Sequence, residues 1–122
     1  MPDEALAVHE SDVEGVRLLE VFGELDLATA PRLCARLDTA RAQRVRRLVV
    51  DLTGVDFCDS TGLRALMGAS RELRHAGGRL AIVLLPHGAV ARLFEVAGIR
   101  ESLPTFDTQA EALASLAPAP RG

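Results

Sequence analysis

The chain has 122 residues, of which 48% are hydrophobic and 25% charged, and its net charge is −3. This composition is typical of one globular domain that folds without disulfides or metals. No apolar run approaches the ~20 residues that a membrane-spanning helix needs, and the acidic N-terminus lacks the apolar core of a signal peptide. We therefore expect a cytoplasmic protein that does not enter a membrane.

Cysteine, basic and aromatic residues restrict the partners further. Cys34 and Cys58 show neither zinc-site nor redox-pair spacing, so we expect reduced thiols, no metal and no cofactor. All fourteen basic residues are arginine, which excludes any mechanism that requires lysine. We interpret the dense group Arg44, Arg46 and Arg47 as a solvated helix-to-strand junction, and with four aromatic residues we expect no nucleic-acid partner.

Apolar spacing predicts a hairpin and then a helix in the first part of the chain. Strands at residues 6–8 and 16–22 flank polar residues, and Gly23 ends the second strand. The helix has Thr29 as its candidate N-cap and Pro31 in its first turn. Leu33, Leu37 and Ala40 face inward.

The central part contains a buried strand followed by a second helix. The strand covers residues 48–52, and the turn-forming pair Thr53-Gly54 ends it. An acidic loop then leads to a helix that begins at Ser60 or Thr61, either of which is a candidate N-cap, and stops at residues 75–78.

The last part of the chain is predicted to form a strand, a helix, a second strand and a second helix. An apolar run at 80–85 is typical of a strand covered on both faces, and the third helix ends at Gly98. A short edge strand at 103–106 precedes a helix opened by Thr108 and Glu111, three apart as in a capping box. Ten residues are predicted to form one core: Leu33, Leu37, Val49, Val50, Leu63, Leu66, Ile82, Val83, Leu93 and Phe94.

These elements predict an α/β fold. A mixed β-sheet consists of an opening hairpin and then helix-separated parallel strands, and about four α-helices pack on it. We expect residues 1–116 to form a single domain and residues 117–122 to form a disordered tail.

The residue types argue against an enzyme. Ser60 lacks the glycine two residues earlier that a hydrolase elbow needs, since Cys58 stands there, and the three histidines are better interpreted as surface or capping residues. A receiver domain with Asp51 as its phosphate acceptor, at the end of the central strand, would need a lysine, and the chain has none. The acids Asp51, Asp56 and Asp59 are therefore interpreted as loop and helix-start residues.

Three sequence blocks together resemble the STAS family, and more specifically the bacterial anti-sigma factor antagonists. They are Gly23-Glu24-Leu25-Asp26, then Asp59-Ser60-Thr61-Gly62-Leu63, and then the segment VARLFEVAGI at residues 90–99. The blocks stand in the family's order and spacing, and the resemblance covers roughly residues 5–116. It implies a STAS-like sheet.

The resemblance also implies a function. In that family an anti-sigma factor that is itself a serine kinase phosphorylates the serine after the aspartate, which is Ser60 here. Many members have a small residue where this chain has Arg64, so we expect Arg64 to influence which partner binds. The implied partner-binding residues are Glu24, Asp26, Asp59, Ser60, Thr61 and Arg64.

The sequence leaves open a further partner, the oligomeric state and an alternative function. A serine phosphatase of the PP2C type is a further candidate partner, and the oligomeric state is undetermined. The alternative function is a STAS scaffold subunit of a transporter or lipid-trafficking complex, which would use the same surface without being phosphorylated.

Overall fold

A computed structural model describes residues 5–99 and 102–117 of the chain. Its five strands form one sheet in the order β1-β2-β3-β4-β5, with β1 antiparallel to β2 and the other neighbours parallel. The predicted mixed α/β architecture is confirmed. The elements are β1 (Leu6–Val13), β2 (Val16–Leu25), α1 (Ala30–Ala42), β3 (Arg47–Cys58), α2 (Ser60–His75), β4 (Arg79–Val83), α3 (Ala89–Ala97), β5 (Thr105–Phe106) and α4 (Gln109–Leu116).

The hairpin of β1 and β2 is longer than the sequence predicts. Its two-residue turn, Glu14 and Gly15, has positive φ at both positions, as a tight hairpin turn with the correct twist requires. Gly23 does not end β2 but lies within it at φ +106°, where a Cβ atom would stand 2.2 Å from the carbonyl oxygen of Ala5. This position therefore needs glycine, both for its backbone conformation and for the close approach of the chain.

The predicted turn at Thr53-Gly54 is wrong, because β3 continues through it to Cys58. A Cβ atom on Gly54 would lie 2.4 Å from the Phe22 ring, and the β2–β3 register shifts beside Phe22. Gly54 therefore makes room for a neighbouring side chain within a continuing strand. Most of the predicted acidic loop is strand as well.

The predicted single core is two cores, one on each face of the sheet. Helices α1, α2 and α3 cover the face that includes Val50 and Ile82, with Phe94 of α3 packed in this core, whereas α4 covers the face that includes Val49 and Val83. Side chains alternate between the faces of a strand, so an apolar run divides between two layers. Of the ten predicted core residues, Leu93 is only partly buried.

The ends of the later elements show why the chain turns where it does. Gly98 ends α3 in the left-handed conformation at φ +65°, and the Thr108 hydroxyl accepts a hydrogen bond from the Glu111 amide at the start of α4; both were predicted. Strand β4 is shorter than predicted, and β5 begins after Pro104. The predicted tail beyond Ala117 lies outside the described residues.

Helix α4 is fastened to its face of the sheet by a polar contact. The Gln109 side-chain amide donates to Glu20 (2.9 Å) and to Oδ2 of the buried Asp51 (2.5 Å), whose Oδ1 accepts from the Thr53 amide (2.8 Å). Asp51 lies in the middle of β3 rather than at the strand end that the phosphate acceptor of a receiver domain would occupy.

No helix within the described ranges has both the length and the apolar character of a membrane-spanning segment.

Candidate functional site

The ends of β2 and β3 bring most of the predicted site residues together. Leu25 pairs with Cys58, and the Asp59 amide donates to the Leu25 carbonyl over 3.1 Å. Parallel strands end at the same edge of a sheet, so the turn after β2 and the start of α2 are neighbours. Glu24 is exposed at that edge, and Arg64 is exposed one turn into α2.

Asp59, not Ser60 or Thr61, caps helix α2. Its carboxylate oxygen Oδ1 accepts from the amides of Thr61 (2.9 Å) and Gly62 (3.1 Å). Ser60 is therefore the first helical residue, and the predicted capping role of Ser60 or Thr61 is wrong. Since Asp59 already occupies two of the free amides and supplies a negative charge to the helix start, a second anion there gains little from the helix dipole.

The Ser60 hydroxyl is exposed and makes no hydrogen bond within residues 5–99 and 102–117. A hydrolase would need a general base within hydrogen-bond distance of it, and no histidine provides one in this part of the chain. Thr61 is half-buried. Of the two neighbouring hydroxyls, that of Ser60 is the more accessible to an external group.

Asp26 and Thr29 fix the turn between β2 and α1. Asp26 Oδ1 accepts from the amides of Ala28 (3.0 Å) and Thr29 (3.1 Å), while the Thr29 hydroxyl donates to the Glu24 carbonyl (2.7 Å). Thr29 is the N-cap of α1 by position but makes no side-chain cap hydrogen bond. Asp26 thus holds the turn that presents Glu24.

Cys58, directly before the cap, is protected from ionisation. Burial raises the pKa of its thiol to about 11, and the Asp59 carboxylate adds to the shift. Its sulfur lies 3.5 Å from the Asp59 carbonyl oxygen and donates to it. The thiol is therefore protonated at neutral pH and is no nucleophile.

Phe57 is the site residue that the sequence prediction missed. It is 50% exposed on the strand end that leads to Ser60 and stands opposite Glu24 in the β2–β3 register. Phe22 on β2 is exposed to a similar extent (47%), so two of the four aromatic rings reach the surface, an informative feature of that surface. Phe57 was missed because a loop was predicted here. Asp56 and Phe57 are exposed in succession, so an alternating pattern would not have identified the ring either.

No group of three or more histidine, cysteine or acidic side chains within the described ranges could hold a metal ion. The edge instead combines exposed carboxylates at Glu24 and Asp56, the exposed Phe57 ring, the Ser60 hydroxyl and the Arg64 cation. A charged rim around an exposed ring is a common composition of protein-binding surfaces.

Comparison with known proteins identifies what this arrangement resembles. The STAS domain family model matches residues 9–112. The chain is 31% identical over 113 residues to the anti-sigma-F factor antagonist RsfB of Mycobacterium tuberculosis, covering 92% of this chain and 89% of RsfB.

The fold is also similar to solved structures of anti-sigma factor antagonists and related proteins. An anti-sigma factor antagonist from Mycobacterium paratuberculosis superposes with a TM-score of 0.83 at 28% identity, covering 91% of this chain and 93% of that one. The phosphorylated form of the Bacillus cell fate determinant SpoIIAA superposes with a TM-score of 0.65 at 25% identity, covering 89% of this chain and 98% of SpoIIAA.

Proposed function

This chain belongs to the STAS domain family, and on that premise we propose that it is an anti-sigma factor antagonist switched by phosphorylation of Ser60. Unphosphorylated, it binds an anti-sigma factor that is a serine kinase and thereby releases the sigma factor. The observation that carries the proposal is the exposed, unbonded Ser60 hydroxyl beside the Asp59 cap. The relatives named as antagonists support it.

The proposed docking surface consists of seven residues at one edge of the sheet. Its centre combines a half-exposed ring with small hydroxyls, and its rim is charged, the usual composition of a transient protein interface. Arg64 is its single cation, and a guanidinium makes directed contacts that distinguish partners. The surface comprises Glu24, Asp26, Phe57, Asp59, Ser60, Thr61 and Arg64.

The switch follows from the charge already present at the helix start. The kinase transfers the γ-phosphoryl group of ATP to Ser60 Oγ, which loses its proton, and ADP leaves. The phosphate adds about 1.5 to 2 negative charges beside Asp59, whose carboxylate holds the amides of Thr61 and Gly62. Docking then has to desolvate a dianion near a like charge, which weakens binding without a change of fold.

A cycle of this kind needs a step that removes the phosphate. Hydrolysis of the serine phosphate by a PP2C-type phosphatase would restore the neutral hydroxyl and the binding-competent surface. The exposure of Ser60 supports access by such an enzyme.

The test is phosphorylation by the cognate anti-sigma factor kinase with ATP, followed by peptide mass spectrometry. We expect one phosphate on Ser60, none on Ser60→Ala, and full incorporation on Thr61→Ala, the matched control for the adjacent hydroxyl. Ser60→Ala should also keep the sigma factor released in the presence of ATP. Phosphate on Thr61 would show that Ser60 is not the acceptor. A kinase that neither binds nor modifies the chain would favour the scaffold alternative.

Phe57 provides a separate test of where the partner docks. Phe57→Thr keeps a strand-forming residue but removes the ring, and we expect the affinity for the anti-sigma factor to fall about tenfold, since buried aromatic anchors dominate interface energies. The measurement is titration calorimetry. Val96→Thr, at a position 81% exposed on α3, is the control, and equal affinities for the two variants would remove Phe57 from the docking surface.

A further inference from the structure

Four arginines gather at the end of the sheet opposite Ser60. Arg46 directly precedes β3 and Arg47 begins it, Arg74 is in the last turn of α2, and Arg79 begins β4. The Arg79 amide donates to the Arg46 carbonyl over 2.7 Å, which holds the two strand starts together. Ser60 and Arg74 are roughly 20 Å apart along α2 at 1.5 Å per residue, so this group is separate from the docking surface.

None of the four guanidinium groups has an ion pair or hydrogen bond to another described residue. Three other arginines are paired with acids: Arg17 and Arg36 both bind Glu10, and Arg41 binds Glu72. Unpaired like charges on adjoining strand ends repel one another in a protein whose net charge is negative. An anion bound between them would relieve that repulsion.

Two adjoining cavities of about 320 Å³ and 350 Å³ open among these arginines. They meet at Arg79, Ser115 and Leu116, and no acidic residue within the described ranges lines either one. Volumes of this size lie at the lower end of the range for small-molecule pockets. We call the two together the basic cleft.

The cleft exists because the edge of β4 is left uncovered. Pairing between β4 and β5 begins only at Ile82 and Thr105, since Pro104 has no amide hydrogen to extend the ladder. Residues 79–81 pair with β3 on one side, and on the β5 side they line the first cavity instead of pairing with a strand. On the other side the chain passes so closely that a Cβ on Gly78 would lie 2.4 Å from the Arg46 carbonyl oxygen.

The two cavities differ in chemistry. The first has an apolar wall of Pro104 and Phe106, with serine hydroxyls beside it, whereas the second is bounded by Arg46, Arg47 and Arg79 with the backbone of two glycines. A ring or short aliphatic body suits the first, and a tetrahedral oxyanion suits the second, because planar guanidinium groups bind phosphate oxygens in pairs.

We propose that the basic cleft is a binding site for a small organic phosphate, with its phosphate between Arg46, Arg47 and Arg79 and its apolar body against Pro104 and Phe106. The sequence-based interpretation of Arg46 and Arg47 as solvated junction charges does not account for the convergence of Arg74 and Arg79 or for the cavities. The site is independent of the proposed antagonist function.

The test uses the whole chain and three probes: phenyl phosphate, inorganic phosphate and phenol, each titrated at low salt and followed by amide NMR shifts. We expect phenyl phosphate to shift the amides of Arg79, Leu80 and Leu116 and to bind at least threefold more tightly than inorganic phosphate, with phenol weaker than both. Arg79→Ser should lower the affinity for phenyl phosphate at least tenfold. Ser60→Ala should leave it unchanged.

Arg71→Ser is the matched control, because Arg71 is exposed on α2 one turn before Arg74 and lines neither cavity. Its affinity should equal that of the wild type, and an unchanged amide spectrum away from the substitution shows that each variant is folded. Equal weakening by Arg71→Ser and Arg79→Ser would mean general charge attraction and would overturn the proposal. Equal binding of phosphate and phenyl phosphate would overturn the part that places an apolar body in the first cavity.

Discussion

Replacing Phe94 with alanine is expected to lower the free energy of unfolding by about 3–5 kcal/mol. Phe94 is completely buried on α3, within the larger of the two cores. The substitution removes the transfer free energy of the ring and leaves a cavity that the surrounding helices and strands fill only in part. The measurement is equilibrium unfolding in urea, with the midpoint and the slope both compared with the wild type.

Val96 provides the control for this prediction on the same helix. It is 81% exposed, so Val96→Ala should change the unfolding free energy by no more than about 0.5 kcal/mol. Both substitutions place alanine in α3 and keep its helix propensity high. An unchanged midpoint for Phe94→Ala would show that α3 does not pack its Phe94 face against the sheet as described.

Local signals in the sequence predicted most of the elements. The Gly98 cap, the Thr108 cap and the hairpin before Val16 depend on residues within one or two turns, and all three are present. The prediction of a turn at Gly54 was wrong because glycine is needed there to make room for the Phe22 ring on the neighbouring strand. The same residue type marks a turn or a close approach, and the sequence alone does not distinguish them.

The sequence predicted which residues lie at the candidate site, but only part of their spatial arrangement. The residues of the two blocks around Asp26 and Ser60 do meet, because the ends of parallel strands coincide. That Asp59 rather than Thr61 caps α2 depends on the extended backbone conformation of Asp59. The grouping of Arg74 and Arg79 with Arg46 depends on strand pairing across distant parts of the chain.

Phosphorylation of Ser60 is expected to weaken binding to the anti-sigma factor kinase about a hundredfold. A difference of that size corresponds to ~3 kcal/mol, which is modest for desolvating a dianion next to the Asp59 carboxylate. Because Asp59 holds the amides of Thr61 and Gly62, the helix start has few donors left for the phosphate. The measurement is titration of the kinase with the phosphorylated and unphosphorylated chain.

Two substitutions separate charge from shape at this position. Ser60→Asp adds one negative charge and should weaken binding to the kinase, though less than a phosphate with its about 1.5 to 2 charges. Ser60→Asn has nearly the shape of aspartate without the charge. It should therefore bind the kinase more tightly than Ser60→Asp. At a helix N-terminus the dipole favours aspartate over asparagine, so Ser60→Asp should be at least as stably folded as Ser60→Asn. A loss of folding stability therefore does not explain weaker binding by Ser60→Asp. If phosphorylated chain, Ser60→Asp and wild type bind with one affinity, Ser60 is not the switch.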